Sequence, residues 1–519
     1  MDQKRHKILW VDDEIELLRP HILFLEEKGY AMTPVTNASD ALELVAKEKF
    51  DLVLLDEQMP GMDGLTALQE IKERNPFLPV VMVTKSEEEA VMEEAIGWRI
   101  ADYLTKPVNP SQILLICKKL LDSKQITSER FSRNYATEFA NISRRLFEPL
   151  EWQDWVDIYT KLSELDIELD SHPGLGLRQT LQDQRRECNA EFAKFIEQSY
   201  PRWLDRGNGP LLSVDVVKEF VKPLLGEGKK TVFLIIDNLR LDQWMMIEPL
   251  LHDSFNIEKH TYCSILPTAT PYSRNAIFAG LFPSEIEKTF PELWQSGDDN
   301  ESSLNRYEKE LLEHQLEREK VLLKPSLKYV KILDANEARN TEKQIGALAE
   351  LPLLALVVNF VDILAHSRSD SEILREMTPD EAAYRSLTKS WFEHSFVFRI
   401  LKELAQRGNT IVLTSDHGSI RGMRGAKVIG DRETSTNLRY KYGRNLKCDK
   451  KNAIFVKDPE TYRLPRRNIN TNYLIAKEDY YFVYPTNYNY YLNYYRDSLQ
   501  HGGVSMEEMI LPLIVMEPK

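Results

Sequence analysis

The sequence predicts an α/β protein in three units: a doubly wound α/β domain over 1–122, a helical-bundle connector over 123–206, and a larger α/β domain over 207–519. Three observations carry this division. In the first unit, short β-like runs alternate with amphipathic stretches, the rhythm of a parallel sheet covered on both faces. The middle segment changes to apolar residues spaced by three or four, without strand signals. Beyond it apolar runs return, and several end in a side chain able to bind a metal. A length of 519 residues is itself a prior for several domains.

Composition removes whole classes. With 42% hydrophobic and 29% charged residues, 21 Gly and 25 Pro, the chain is neither disordered nor collagenous. A net charge of -14 opposes tight binding of duplex DNA through general electrostatics, so a promoter-binding output is not expected. The apolar run at 8–11 is too short for a signal-peptide core. The longest apolar stretch, 351–365, contains Pro352, Asn359 and Asp362 and does not read as a membrane span, so a cytoplasmic protein is expected. Cys117, Cys188, Cys263 and Cys448 form no CxxC pair and read as buried thiols rather than a disulfide or metal framework.

In the first unit, strands are expected at 7–11, 30–35, 51–55, 79–84 and 100–104. Loops at the carboxyl ends of parallel strands converge, which brings together Asp12, Asp13, Asp56, Thr84 and Lys106. Three carboxylates at one edge repel unless neutralised. Hard oxygen ligands suit Mg²⁺, and Lys106 adds a compact cation. The acidic pair, the DxxMPxMDG stretch at 56–64, the Thr and the Lys-Pro occur in an order that resembles the CheY-like receiver domains of response regulators. That resemblance implies a cognate sensor histidine kinase, Asp56 as phosphoacceptor, and Mg²⁺ held by Asp12, Asp13 and Asp56. It also implies Thr84 as the phosphate-sensing hydroxyl, Lys106 as the phosphate partner and Tyr103 as the switch aromatic. Lys85 stands where the family usually has a small residue. Phosphorylation would add charge and acceptor oxygens beside Thr84 and Lys106, and is expected to promote a homodimer through the face of the last two helices and strand.

Phe131, Tyr135, Phe139, Ile142 and Leu146 give the middle segment its helical spacing, and the break at His172-Pro173-Gly174 separates further helices near 152–169 and 175–200. Trp152, Trp155 and Trp203 read as packing residues. A connector that transmits dimerisation fits this segment, which carries no evident chemistry.

In the third unit, the run 231–236 ends in Asp237, the run 353–361 ends in Asp362, and 410–414 is followed by Asp416 and His417. An α/β sheet collects such residues at one edge. His366 lies four residues after Asp362, one turn away on a helix, and His501 opens the HGGVSMEE stretch. Three Asp and three His suit two borderline divalent cations, zinc above all. The ordered segments FLIIDN, LPTATP, VDILAH, TSDHG and HGG resemble the PglZ branch of the alkaline-phosphatase superfamily. The resemblance implies one zinc on Asp362, His366 and His501, a second on Asp237, Asp416 and His417, and Thr270 as nucleophile with Thr268 as runner-up. A threonine hydroxyl is a weak nucleophile near neutral pH, and metal coordination activates it without an adjacent base.

Around these residues, Glu507 and Glu508 read as supporting or solvated groups, and Asn238 and Arg240 as phosphate contacts or helix caps. Residues 421–467 hold 14 Lys or Arg against 5 Asp or Glu, either a track for an anionic substrate or a solvated surface. The 8 tyrosines within 480–495 read as strand packing rather than a platform for bases. The charged segment 291–325 reads as an insertion or lid.

Together the three units resemble the response regulators associated with type IX secretion. That implies an extracytoplasmic-function sigma factor as partner and a zinc phosphodiesterase, controlled by phosphorylation, acting on linear or cyclic oligonucleotides. The alternatives are a metal-braced regulator that only docks to a sigma factor or secretion component, and a monoesterase or sulfatase of the same superfamily.

Overall fold

The computed structural model describes residues 5–85, 97, 100–294, 305–431 and 434–519. Two compact units divide the chain, Met1–Thr137 and Glu138–Lys519. In the first, β1 (Lys7–Val11), β2 (Ala31–Val35), β3 (Leu52–Asp56), β4 (Val80–Thr84) and β5 (Asp102–Thr105) form a parallel sheet of order β2-β1-β3-β4-β5. All five strands fall within two residues of their expected bounds. Among the described residues the helices between them include α1 (Arg19–Glu27), α2 (Ala38–Lys47) and α3 (Gly64–Arg74), and α4 (Pro110–Cys117) follows β5.

Capping fixes where these helices start. Asn37 accepts from the Asp40 amide at 2.9 Å, and Asp63 accepts from the Thr66 amide at 2.7 Å, each satisfying a donor that the first turn leaves free. Alternate residues of β1 and β3 enter opposite cores. Leu9, Val11, Val53 and Leu55 pack with the α2 and α3 side; Ile8, Trp10, Leu52 and Leu54 pack with Ile113 and Ile116 of α4. Burial on both faces is why these strands are almost wholly apolar. The expected self-association face draws on 86–96, 98 and 99, which lie outside the described residues.

The boundary between the units falls within α5 (Ser123–Arg145). In the second unit, α6 (Trp152–Asp170) and α7 (Arg178–Arg206) are locked by aromatic contacts, with Trp155 edge-on to Phe192 at 5.4 Å and Trp152 edge-on to Trp203 at 6.0 Å. These helices pack on the α/β core that follows them. Arg385 pairs with Asp166 at 2.7 Å and Asp170 at 2.8 Å of α6, all within the unit that begins at Glu138.

That core is a six-stranded mixed sheet of order β7-β18-β10-β6-β9-β8. Its strands are β6 (Thr231–Ile236), β7 (Phe255–Cys263), β8 (Lys328–Ile332), β9 (Leu353–Val358), β10 (Thr410–Thr414) and β18 (Ile510–Pro518). β10, β6, β9 and β8 run parallel, while β18 is antiparallel to both β10 and β7. β6 and β10 match the expected bounds; β9 stops at Val358 rather than 361, because the chain already turns helical at Phe360.

Helices α8 (Leu241–Ile247), α9 (Thr270–Ala279), α10 (Glu308–Arg318), α11 (Phe360–Asp370) and α12 (Glu381–His394) cover the sheet or carry site residues. A peripheral lobe holds β11 (Ile420–Gly422), β12 (Arg424–Lys427), β13 (Tyr440–Gly443), β14 (Ala453–Val456), β15 (Asn472–Ala476), β16 (Tyr480–Val483) and β17 (Ser498–Gln500).

The tyrosine run departs from the strand expected of it. Only its first part is strand, β16; after Pro485, Asn487 takes φ 53° and the chain forms α13 (Tyr488–Tyr495). Tyr490 stacks on Tyr494 and Tyr491 on Tyr495, four residues apart on the helix. In the segment read as an insertion or lid, residues 295–304 lie outside the described residues, and α10 beyond them buries Leu311, Leu312 and Leu316. Among the described residues no helix is long and apolar enough to cross a membrane.

Candidate functional site

β6, β9 and β10 are adjacent, so the residues just after them meet at one sheet edge. The Asp237 amide donates to the Val358 carbonyl at 2.9 Å, which fixes the loop after β6 against the end of β9. Asp416 and His417 follow β10 and are fully buried; Asp237 is 1% exposed. His417 Nε2 lies 3.6 Å from Asp237 Oδ1 and 3.7 Å from Asp416 Oδ2. The ligand atoms of these three residues lie within 4.8 Å of one another.

A second group adjoins the first. Asp362 and His366 are one turn apart on α11, with His366 Nε2 3.4 Å from Asp362 Oδ1. His501 Nε2 is 3.1 Å from His366 Nε2 and 3.8 Å from Asp362 Oδ1. His417 is common to both groups, because it also gathers with Asp362 and His501 and its ring stacks on that of His501 at 4.1 Å. All six residues predicted from sequence as ligands converge.

Thr270 is the first residue of α9, and its Oγ1 is 3.0 Å from His417 Nε2. The His417 Nδ1 lies 3.2 Å from the Gly418 carbonyl. A carbonyl only accepts, so Nδ1 carries the proton and Nε2 presents its lone pair to the threonine hydroxyl. Thr268 is engaged elsewhere: its hydroxyl donates to the Gly503 carbonyl at 2.8 Å and accepts from the Gly502 amide at 3.1 Å.

Sequence reasoning missed Arg274, one turn after Thr270 on α9. Its guanidinium donates to Asp237 Oδ2 at 2.6 Å and to Glu308 Oε1 at 2.6 Å, and lies 3.8 Å from Asp416 Oδ2. The stretch around it, TPYSRNAIFA, has no pattern that flags a buried cation. Glu308, in the segment read as a lid, also receives Lys331 at 3.2 Å and the Tyr329 hydroxyl. Asn238 and Arg240 resolve as structural groups: Asn238 donates to Asp362 at 3.2 Å, and Arg240 pairs with Asp242 and Glu381.

One guanidinium does not satisfy three carboxylates. Asp237 Oδ1 and both Asp416 oxygens are buried without a hydrogen-bond partner. Burial, reinforced for Asp237 by the Asp416 carboxylate, pushes both groups above the usual carboxylate range against the pull of Arg274. Burial lowers His417, keeping its imidazole neutral. Burial alone would also raise Asp362, but its hydrogen bond to His366 and the charges of His366 and His501 outweigh it and hold the group well below the ordinary range. Imidazole nitrogens and orphaned carboxylate oxygens within a few ångströms form a donor set that fits zinc.

In the first unit, Lys106 Nζ bridges Asp12 at 2.7 Å and Asp56 at 2.9 Å, and Asp12, Asp13 and Asp56 gather closely enough to share a cation. Burial raises Asp56 despite the hydrogen bond from Lys106. Such an oxygen set fits Mg²⁺. The Thr84 hydroxyl donates to Glu57. Lys85 turns outward to Glu14 at 3.3 Å, away from the carboxylates, and Tyr103 is 45% exposed.

Much of the basic segment is paired. Arg421 bonds Asp497, Arg424 bonds Glu478 and Asp479, and buried Arg439 bonds Glu508 at 2.5 Å. The exposed basic side chains of that segment include Lys427, Lys447, Lys450, Lys451 and Lys457.

Residues 216–516, more than half of the chain, match the BREX system PglZ alkaline phosphatase-like domain. Residues 8–118 match the response regulator receiver domain, and 125–204 the PorX response regulator linker domain. The chain is 35% identical over 139 residues to the transcriptional regulatory protein ResD of Bacillus subtilis (strain 168), covering 27% of this chain and 57% of that protein. It is 33% identical over 126 residues to the alginate biosynthesis transcriptional regulatory protein AlgB of Pseudomonas aeruginosa, covering 24% of this chain and 28% of that protein. It thus spans little more than half of the first relative and about a quarter of the second. A CheY-like receiver domain structure from Methanospirillum hungatei JF-1 is 29% identical, with a TM-score of 0.23, covering 23% of this chain and 96% of that one. Three ordered matches identify a response regulator of the PorX-like kind, and the chain belongs to the PglZ alkaline phosphatase-like family.

Proposed function

We propose that the second unit is a zinc-dependent phosphodiesterase acting on linear or cyclic oligonucleotides, controlled by phosphorylation of Asp56, in a regulator of type IX secretion. The observation that carries this reading is the convergence of three carboxylates, two of them buried, and three imidazoles at one sheet edge, with His417 Nε2 3.0 Å from the Thr270 hydroxyl and carboxylate oxygens left unpartnered. Asp237, Asp416 and His417 would hold one zinc, and Asp362, His366 and His501 the other. When bound, zinc supplies Lewis acidity for the hydroxyl and for charge developing on the phosphoryl oxygens.

The chain's own groups have distinct tasks. Thr270 Oγ loses its proton and attacks phosphorus, the new O–P bond forms as the bond to the leaving alkoxide breaks and that oxygen is protonated, and water then hydrolyses the phosphothreonine to a phosphomonoester and re-forms the threonine hydroxyl. Its place at the start of α9 favours negative charge, because the first-turn amides and the helix dipole point toward it. Arg274 holds the Asp237 carboxylate in orientation. In the first unit, Asp12, Asp13 and Asp56 would hold Mg²⁺, with Thr84, Lys106 and Tyr103 forming the switch that favours a homodimer. A cognate sensor histidine kinase and an extracytoplasmic-function sigma factor are the proposed partners.

The test compares wild type with Thr270→Ala on bis-p-nitrophenyl phosphate, a phosphomonoester and short oligonucleotides, with zinc content measured in parallel. The diesterase rate should fall at least about a thousandfold in the variant while zinc is retained. Equal rates would remove Thr270 from the reaction. A zinc-loaded wild type that hydrolyses no ester would fit a metal-braced docking module instead.

A further inference from the structure

We infer that helix α7 sets the geometry of the metal cluster through Asn189, a positioning residue outside that cluster; the inference rests on the zinc-enzyme reading above. After His501 the chain passes through Gly502 and Gly503 into a helical turn, Met506–Met509, and then into β18. Its two neighbouring glutamates face opposite ways. Glu508 is held from within this segment and by the peripheral lobe, accepting from the Gly503 amide at 2.8 Å, the Ser505 hydroxyl at 2.8 Å and Arg439 at 2.5 Å.

Glu507 is held by α7. Its Oε2 accepts from Asn189 Nδ2 at 2.9 Å and its Oε1 from Arg185 at 3.2 Å. Asn189 Oδ1 in turn accepts the Met506 amide at 2.8 Å. One side-chain amide therefore binds the segment twice, at a site where Asn189 is 3% and Glu507 4% exposed. Breaking either bond there leaves a buried polar group without a partner, so the contact is worth more than an exposed pair.

The grip reaches two ligands at once. Met506 lies five residues after His501. The Glu507 carbonyl presses on Gly418, where an added Cβ would come within 2.0 Å of that oxygen, and the Gly418 amide donates to the Glu508 carbonyl at 3.3 Å. Gly418 follows His417, and its carbonyl accepts the hydrogen bond from His417 Nδ1 at 3.2 Å. The stacked rings of His417 and His501 thus rest on the turn that Asn189 holds.

Room for movement lies alongside. A cavity of about 330 Å³ is lined by Arg185, Asn189, Arg240, Asp242, Arg385 and Glu507 among others. Arg185 also bonds the Leu162 carbonyl at 3.3 Å and Asp166 at 3.4 Å, so a shift of α6 against α7 is felt at Glu507 without a change in any ligand. Residues that orient metal ligands from behind typically change metal affinity by about 10–100-fold when replaced.

The experiment uses the full chain with Asn189→Ala, Asn189→Asp, and Asn189→Asp combined with Glu507→Gln. Asn189→Asp keeps the acceptor for the Met506 amide but sets a second carboxylate against Glu507; adding Glu507→Gln restores a donor and acceptor in that pair. Two quantities are read: zinc affinity, by competition with a chromophoric chelator, and exchange of the Met506 amide in zinc-free protein. Zinc should bind about 10–100-fold more weakly to both single variants. Met506 exchange should rise at least about tenfold in Asn189→Ala, and the double variant should recover most of the affinity. Wild-type zinc affinity together with unchanged Met506 exchange in both single variants would overturn the inference alone. Absence of zinc uptake by wild type would overturn the enzyme reading and this inference with it.

Discussion

Arg274→Met keeps most of the side-chain volume and removes the cation that Asp237 and Glu308 share. Arg274, Asp237 and Glu308 are each 1% exposed, and both bonds are 2.6 Å, so neither carboxylate gains water in compensation. Breaking a buried ion pair by removing one partner costs about 3–5 kcal/mol. The lower end is expected, because Lys331 remains for Glu308 and Asn359 still donates to Asp237 at 2.9 Å. The assay is hydrogen exchange of the β6 amides in zinc-stripped protein, since that strand opens with the unit carrying the site. A loss of about 3 kcal/mol corresponds to exchange roughly a hundredfold faster. Zinc should shrink the difference by returning a cation to Asp237. Acid should shrink it too: burial already raises Asp237 above its unfolded value, so its contribution favours folding below that value and is lost as pH rises, and a neutral carboxyl needs no guanidinium. Exchange that is unchanged in zinc-free protein at pH 8 would refute the role given to Arg274.

Three further outcomes are expected. Gly418→Ala should cost at least about 1–3 kcal/mol, because its Cβ would meet the Glu507 carbonyl at 2.0 Å, read as a fall in thermal midpoint with weaker zinc retention; a wild-type midpoint would contradict the packing described. Gly64→Ala should destabilise the first unit and slow phosphorylation by acetyl phosphate, since a Cβ there would lie 2.2 Å from the Asp56 carbonyl oxygen; wild-type kinetics would count against it. A thiol reagent at pH 8 should leave Cys117 and Cys188 unmodified in folded protein, because burial pushes both thiols up to about 12; rapid modification of either would contradict that burial.

The legible part of the site was the part that repeats a pattern. Asp237, Asp362 and the Asp416-His417 pair each follow a run of aliphatic residues, and such runs become neighbouring parallel strands whose ends meet. His366 was legible because four residues make one helical turn. Arg274 was not, since a single arginine within an amphipathic stretch reads as a solvated side chain until Glu308, supplied from 34 residues away, appears beside it. Asn189 was silent for the same reason, and Glu507 read only as a supporting or solvated group without a partner: their contact joins residues 318 apart. The helix of Tyr488–Tyr495 was misread because aromatic residues favour strands, whereas stacking between tyrosines four apart supports a helix equally well. The basic segment looked free only because its acidic partners, Asp497, Glu478, Asp479 and Glu508, lie beyond its bounds.

The position of β18 between β7 and β10 bears on how the protein matures at the ribosome. Strands β6, β9 and β10 can pair as soon as each emerges, so the acidic ligands assemble early. β7, which leads into Thr270, is hydrogen-bonded within the large sheet to β18 alone. Until residues 510–518 have left the exit tunnel, the nascent chain can gather ligands but has no anchored threonine. Assembly of the proposed centre is in this way tied to the synthesis of β18, and a fragment lacking residues 510–518 would bring the aspartates together without a fixed Thr270.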